Sequence, residues 1–222
     1  MLKLAINGNS FIGAFCIATE KYALAADVVS SKAKTSLEKE LKVKLSNTNI
    51  CSSYLTGMYI AANSNGMLVP ELAYRDEIEA IRAALGSEVQ IEVMKTDLNA
   101  LRNNILVNDK LAVINPEYSS KEVKTIQDIL GVEVVKTQIG GFKTVGANNI
   151  LTNKGIVFNN RIDDEEKDNL ESMLNMSGDQ STANMGAVSI GLCTIANSHG
   201  LAVGYDTTGF EASRIEESLN LV

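Results

Sequence analysis

The feature that most limits what this chain can fold into is a repeat. In the stretch Ile190–Gly209 an apolar run is followed by the turn Asn197-Ser198-His199-Gly200, a second apolar run and the start of a helix at Thr208. Weaker copies lie at Ile12–Asp27, Leu55–Leu72, Leu101–Tyr118 and Val145–Ile162. With Gly200 as anchor, the matching turn positions are Tyr22, Gly66, Leu111 and Gly155, at spacings of 44, 45, 44 and 45 residues. Nine residues before each anchor stand Gly13, Gly57, Arg102, Gly146 and Gly191, a second register that agrees with the first. A supersecondary unit of this size cannot bury its own apolar face, so the copies must stack on one another.

Within each copy the signals keep one order. An apolar run such as Phe15-Cys16-Ile17-Ala18 or Tyr59-Ile60-Ala61-Ala62 reads as a buried strand. The turn Asn63-Ser64-Asn65-Gly66 and its counterparts predict tight hairpins built from residues that tolerate positive φ. A short return strand such as Met67-Leu68-Val69 comes next, ended by Pro70 in one copy and Pro116 in another, where a missing N–H does least harm. Helices are predicted over Tyr74–Leu85, Ser119–Leu130 and Asp163–Leu174 and from Thr208 onward. Their inward faces are Ile78, Ile81 and Leu85, then Val123, Ile126, Ile129 and Leu130, and in the last helix Ala212, Ile215 and Leu219. Ser119 with Glu122 and Thr208 with Glu211 have capping-box spacing. The acidic run Asp163-Asp164-Glu165-Glu166 suits a helix N-terminus and reads as a solvated face.

A third strand alternates at Leu41-Val43-Leu45, Val89-Ile91-Val93 and Val132-Val134, so one of its faces should be wet. The fifth copy has none, because the sequence stops at Val222, but Leu2, Leu4 and Ile6 alternate in the same way at the other terminus. The N-terminal segment is therefore predicted to supply the missing strand, close the repeats into a ring and remove an exposed edge. A single domain over residues 1–222 follows, with repeats near 1–46, 47–92, 93–136, 137–180 and 181–222.

Composition bounds the function. The chain is 45% apolar and 21% charged, ordinary for a soluble globular protein. No apolar run approaches the ~18–20 residues that span a bilayer, and the N-terminus is too polar for a signal-peptide core. Cys16, Cys51 and Cys193 form no even set and no Cys-x-x-Cys, which predicts reduced thiols, apolar filler and a cytoplasmic protein. No metal-ligand cluster and no phosphate-binding loop is present, so neither metal nor cofactor is expected. The net charge of −7 argues against a clamp on nucleic-acid phosphates but permits docking on a basic protein.

Three further strings carry a resemblance: Ser181-Thr182-Ala183-Asn184-Met185-Gly186, Ile195-Ala196-Asn197-Ser198-His199-Gly200 and Asp206-Thr207-Thr208-Gly209-Phe210-Glu211. So do Asn63-Ser64-Asn65-Gly66-Met67-Leu68-Val69-Pro70, Asn99-Ala100-Leu101-Arg102-Asn103, Asn115-Pro116-Glu117 and Leu151-Thr152-Asn153-Lys154-Gly155. In order and spacing the chain resembles the archaeal translation initiation factor 6 family along its whole length. The resemblance implies the pentein fold, an α/β propeller of five pseudo-symmetric β-β-α-β units around a central channel. It also implies binding to the intersubunit face of the large ribosomal subunit, which blocks joining of the small subunit, and leaves open a part in large-subunit maturation.

That family docks through positions just after the repeat glycine, at the start of the innermost strands. On this chain these are Met58 after Gly57, Asn103 after Arg102, and Asn148 two places after Gly146. Arg102 and Leu111 depart from the glycines of the family pattern, and Cys51-Ser52-Ser53 replaces a more glycine-rich run. A second reading makes Asn103, Asn104, Asn148 and Asn149 polar groups satisfied around an axial channel. The expected partner is the large subunit, chiefly a basic ribosomal protein with minor rRNA contact; a monomer with no membrane or small-molecule partner is expected.

Penteins also include guanidine-modifying enzymes that use a cysteine, a histidine and acidic residues. The one histidine here, His199, occupies a turn place filled elsewhere by Lys21, Asn65, Lys110 and Lys154. Cys193 precedes it by six residues, a separation of roughly 20 Å along a strand at ~3.3 Å per residue. Asp206 belongs to the turn before the last helix. The sequence reading is that of a binding protein and not an enzyme.

Overall fold

The computed structural model describes residues 1–222. It contains five three-stranded sheets, each with a middle strand antiparallel to an inner strand and parallel to an outer one. The middle strands are Tyr22–Ala25, Gly66–Pro70, Leu111–Ile114, Ile156–Asn159 and Gly200–Gly204. The inner strands are Cys16–Ala18, Ala61–Ala62, Ile105–Val107, Ile150–Leu151 and Thr194–Asn197. In the first four units the middle strand leads through a helix to its parallel partner, the crossover that a parallel pair requires, and the fifth middle strand also runs into a helix. These helices are Ser31–Leu41, Arg75–Leu85, Ser120–Leu130, Asp164–Leu174 and Gly209–Ser218. The outer strands of the first four units are Lys44–Asn47, Gln90–Met94, Glu133–Lys136 and Gly178–Ser181.

The fifth outer strand is Leu2–Leu4, paired in parallel with Gly200–Gly204 so that Leu2 faces Ala202 and Leu4 faces Gly204. Ile6 lies beyond it, buried and bridged to Asn9. Five apolar clusters form the core, each drawing side chains from two neighbouring units. Cys16, Ala23 and Leu37 of the first unit share one with Ile195 and Ala202 of the fifth. The middle strands are almost wholly buried, whereas the outer strands are partly exposed, with no strict alternation in burial. This is the pentein arrangement.

Three local expectations need correction. First, the helices start one residue later than the patterns suggest, because Tyr74, Ser119, Asp163 and Thr208 are their extended N-caps. Leu41 ends a helix and does not begin the outer strand, and Val43 precedes that strand. Second, Glu166 is not simply solvated: its Oε1 accepts a hydrogen bond from Gly140 N–H at 3.0 Å.

Third, the hairpin turns use no positive φ. Asn63 Oδ1 instead accepts from the N–H groups of Asn65 and Gly66, as Asn197 Oδ1 does from His199 and Gly200, an Asx turn. The glycines answer to space: a Cβ on Gly66 would lie 2.2 Å from Ile129 O, on Gly155 2.1 Å from Ser218 O and on Gly200 2.0 Å from Glu40 O. Each of these carbonyls belongs to the end of a neighbouring unit's helix. Where Tyr22 takes the glycine's place, a cleft of about 190 Å³ opens between the hairpin and Ala84-Leu85.

Candidate docking face

The residue that follows each outer-strand loop is drawn into a single helical turn, which the sequence patterns missed. These turns are Ile12–Ala14, Thr56–Tyr59, Leu101–Asn104, Val145–Asn148 and Ile190–Cys193. A lone turn has no amphipathic period to detect and little stability of its own. What holds them is close backbone packing between units. A Cβ on Gly13 would lie 2.4 Å from Gly191 O, on Gly57 2.0 Å from Gly13 O, on Gly146 1.9 Å from Arg102 O and on Gly191 2.2 Å from Gly146 O. The four repeat glycines are thus absences of side chain that let four carbonyls approach the neighbouring α-carbons.

Met58, Asn103 and Asn148 fall on three successive turns of this set, in the turns themselves and not at strand starts. Asn148 is buried and engaged: Nδ2 donates to Thr144 O at 3.2 Å, and Oδ1 accepts from Ser189 Oγ at 3.1 Å. Asn149 is also committed, donating to Val145 O and accepting from Asn159. Asn104 donates to Ala100 O and accepts from Asn115. Asn103 differs, since its buried Oδ1 has no hydrogen-bond partner in the protein. Met58 is half-buried.

Strand direction collects more surface at this end. The middle strands end, and the outer strands lead into their loops, on the side where the inner strands begin, since Cys16 faces Ala25 and Asn47 also pairs with Ala25. These loops and helix starts carry the exposed apolar side chains Phe11, Tyr54, Leu72, Tyr74, Met185, Tyr205 and Phe210. Met185 is 76% exposed and Phe210 72%. Single exposed apolar residues mean little, but their concentration at one end was invisible while each was read in its own segment.

The loops are fixed by carboxylates from the first turns of the helices. Glu77 accepts from the N–H groups of Cys51 and Ser52, Glu166 from Gly140, and Glu211 from Met185 and Gly186. At Cys51-Ser52 and at Met185-Gly186 consecutive N–H groups at positive φ converge on one carboxylate, which favours that conformation, while the Asn184 N–H donates to Thr207 Oγ1. Burial raises the Glu211 pKa, but hydrogen bonds from Thr208, Thr182 and Gly186 outweigh it and leave the carboxyl below its ordinary value. The third unit has no such turn, and there a groove of about 640 Å³ opens beside Glu92, Lys95, Asp97 and Lys121.

The opposite end is polar. Asn63 Nδ2 donates to Asn108 O and Leu130 O, Asn108 Nδ2 to Thr152 O, and Asn197 Nδ2 to Thr19 O and Leu41 O, each bond passing from one unit to the next. Thr19 and Thr152 fill the same place in the other two units and close their own turns through Oγ1. Tyr22 Oη to Asn63 O and Asn220 Nδ2 to Lys154 O then make the links that threonine is too short to reach.

His199 stands at this polar end, 3.8 Å from Glu20. Cys16 and Cys193 lie at the other end of the inner strands, buried, their thiols each pushed by burial up to about 12. Cys51 is raised by burial and by Glu77 to about 11. All three are thiols at neutral pH, with no histidine base beside them. No group of His, Cys, Asp and Glu side chains has the arrangement of a metal site.

Residues 1–218 match the eIF-6 family. The chain belongs to it. Among its relatives are proteins named Translation initiation factor 6 from Pyrococcus abyssi, 37% identical over 99% of this chain and 98% of theirs, and from Thermococcus onnurineus, 36% identical over the same shares. That of Thermoplasma acidophilum is 35% identical over 98% of this chain and 99% of its own. Among solved structures, a dimethylarginine dimethylaminohydrolase is similar at a TM-score of 0.47 and 11% identity, covering 94% of this chain and 73% of that one. No helix in this family member is long and apolar enough to cross a membrane.

Proposed function

We propose that this eIF-6 family member acts in translation initiation by docking on the intersubunit face of the large ribosomal subunit, where its bulk keeps the small subunit away. The observation that carries this reading is the family match over residues 1–218 with relatives named Translation initiation factor 6 across nearly their full length. Steric exclusion needs a rigid body and a contact face but no bond chemistry. Rigidity is supported by the backbone packing at the axis and by the Asn197 bonds from the fifth unit to the first, consistent with one domain closed into a ring. Contact is supported by the concentration of exposed apolar side chains around the one-turn helices.

Met58 and Asn103 are the proposed contacts; both are half-buried, and Asn103 Oδ1, buried without a partner in the free protein, gains one if docking turns the amide outward. Asn148 enters the proposal as a residue that shapes the face, since its own polar atoms are occupied. With a net charge of −7 the protein should be repelled by rRNA over about a Debye length of ~8–10 Å, so a basic ribosomal protein is the fitting dock. Affinity should then fall with salt less steeply than for a phosphate clamp.

Sedimentation with purified subunits tests the reading. Co-migration with the large subunit and a reduced yield of joined ribosomes are expected; joined ribosomes in undiminished yield would sink it. Asn103→Asp replaces the amide donor with a charge at the face and should change affinity about tenfold, about 1.4 kcal/mol, without lowering the melting temperature by more than a few degrees. Unchanged affinity removes Asn103 from the contacts.

A further inference from the structure

Arg102 replaces the glycine that the other four units carry, and its side chain does not leave the axis. The guanidinium reaches across to the fifth unit, where Nη1 donates to Gly191 O at 3.1 Å. That is its one hydrogen bond to the protein, although a guanidinium has five N–H groups. No carboxylate forms an ion pair with it. The accessible surface it retains faces a cavity on the axis, about 50 Å³ in volume, lined otherwise by side chains such as Ala61, Ile105, Leu106, Ile150 and Asn149.

A buried charge is ordinarily paired, and here each nearby candidate for the counter-charge is otherwise disposed. Cys16, the titratable group nearest in effect, is held by burial as a neutral thiol. Glu20 and Asp109 belong to the polar mouth at the far end of the inner strands. There Glu20 accepts from Ser198 N–H and Oγ, and Asp109 from Ser64 and Asn153. The Asn149 amide is occupied. Burial brings Arg102 down only to about 10, so the charge persists at neutral pH.

We propose that the axial cavity is a binding site for one small monovalent anion of halide size, held by the free N–H groups of Arg102. The volume suffices, since one water-sized body needs ~10–15 Å³ by the same measure. The small volume selects against sulfate and phosphate, which are larger and whose hydration is harder to strip. The anion neutralises the guanidinium inside the ring of one-turn helices, so that a charge in place of glycine is tolerated at the one position where all five units meet.

Bromide is the probe. Crystals of the full chain grown in sodium bromide should show an anomalous peak within hydrogen-bond distance of the Arg102 guanidinium. Crystals of Arg102→Gly should lack it; that variant restores the residue of the other units, and Arg102→Gln serves as a second uncharged form. At fixed ionic strength, exchanging gluconate for bromide should raise the melting temperature of the wild type and leave both variants unmoved. Water alone at Arg102, bromide only elsewhere on the surface, or equal shifts in wild type and variants would each overturn the proposal.

Discussion

The two ends of the axis solve one packing problem by opposite means. At the hairpin end, side-chain amides carry the joint: Asn63, Asn108 and Asn197 each fold their own turn with Oδ1 and tie a neighbouring unit with Nδ2. At the other end side chains are removed, and the repeat glycines bring backbone against backbone. The first solution consumes the polar groups of its residues. The second leaves adjacent residues spare, including Asn103 with its orphan oxygen and the exposed ring of Phe11, Tyr54 and Tyr205. An end whose side chains are committed to the fold is poorly suited to bind anything else, whereas an end joined by backbone can vary its surface without unfolding.

The largest effect expected tests the joint that both ends share. Deleting residues 1–7 removes the outer strand of the fifth unit and exposes the edge of Gly200–Gly204; global loss of cooperative unfolding is expected by calorimetry, and a truncated protein that melts like the intact one would break the closure reading. Next comes Gly57→Ala, whose methyl would sit 2.0 Å from Gly13 O. Overpacking of this kind costs about 3 kcal/mol, measured by urea denaturation. Less than ~1 kcal/mol would mean that the turns are looser than backbone packing implies.

Asn197 separates the two jobs at the hairpin end. Asn197→Ala strands Thr19 O and Leu41 O and loses the Asx turn, so about 3 kcal/mol should go, at ~1–3 per unsatisfied group. Asn197→Thr copies Thr19 and Thr152, keeps the turn and should cost about half as much. Equal costs would show that the link between units, and not the turn, is what asparagine supplies.

The smallest effect concerns the loops. Glu211 is depressed in the folded protein, so its stabilisation is full above the unfolded carboxyl value near ~4.3 and is lost as pH falls through the lower folded value. Glu211→Gln should cost about 1.5 kcal/mol at neutral pH and flatten the loss of stability below about pH 4.5. An acid-unfolding curve with the same slope in both proteins would remove Glu211 from the loop's support.

The period of 44 or 45 residues, the capping boxes, the helix faces and the use of the N-terminal strand were all legible along the chain, because each is a matter of spacing or local alternation. So were Met58 and Asn103 as neighbours of the repeat position. The one-turn helices were not legible, since four residues hold no period and the force that forms them comes from the next unit. Nor were the true reasons for Gly66, Gly155 and Gly200, whose spacing suggested turn chemistry while the structure shows close helix carbonyls.

Sequence by itself therefore determined the unit, its number and its order, since local hydrogen bonding and apolar periodicity suffice to specify a β-β-α-β element. Only the tertiary structure decided what the five do together: which amides bridge, which end is left apolar and where Arg102 places its charge. The physical reason is that those features depend on distances between residues some forty or more positions apart, which no local pattern encodes.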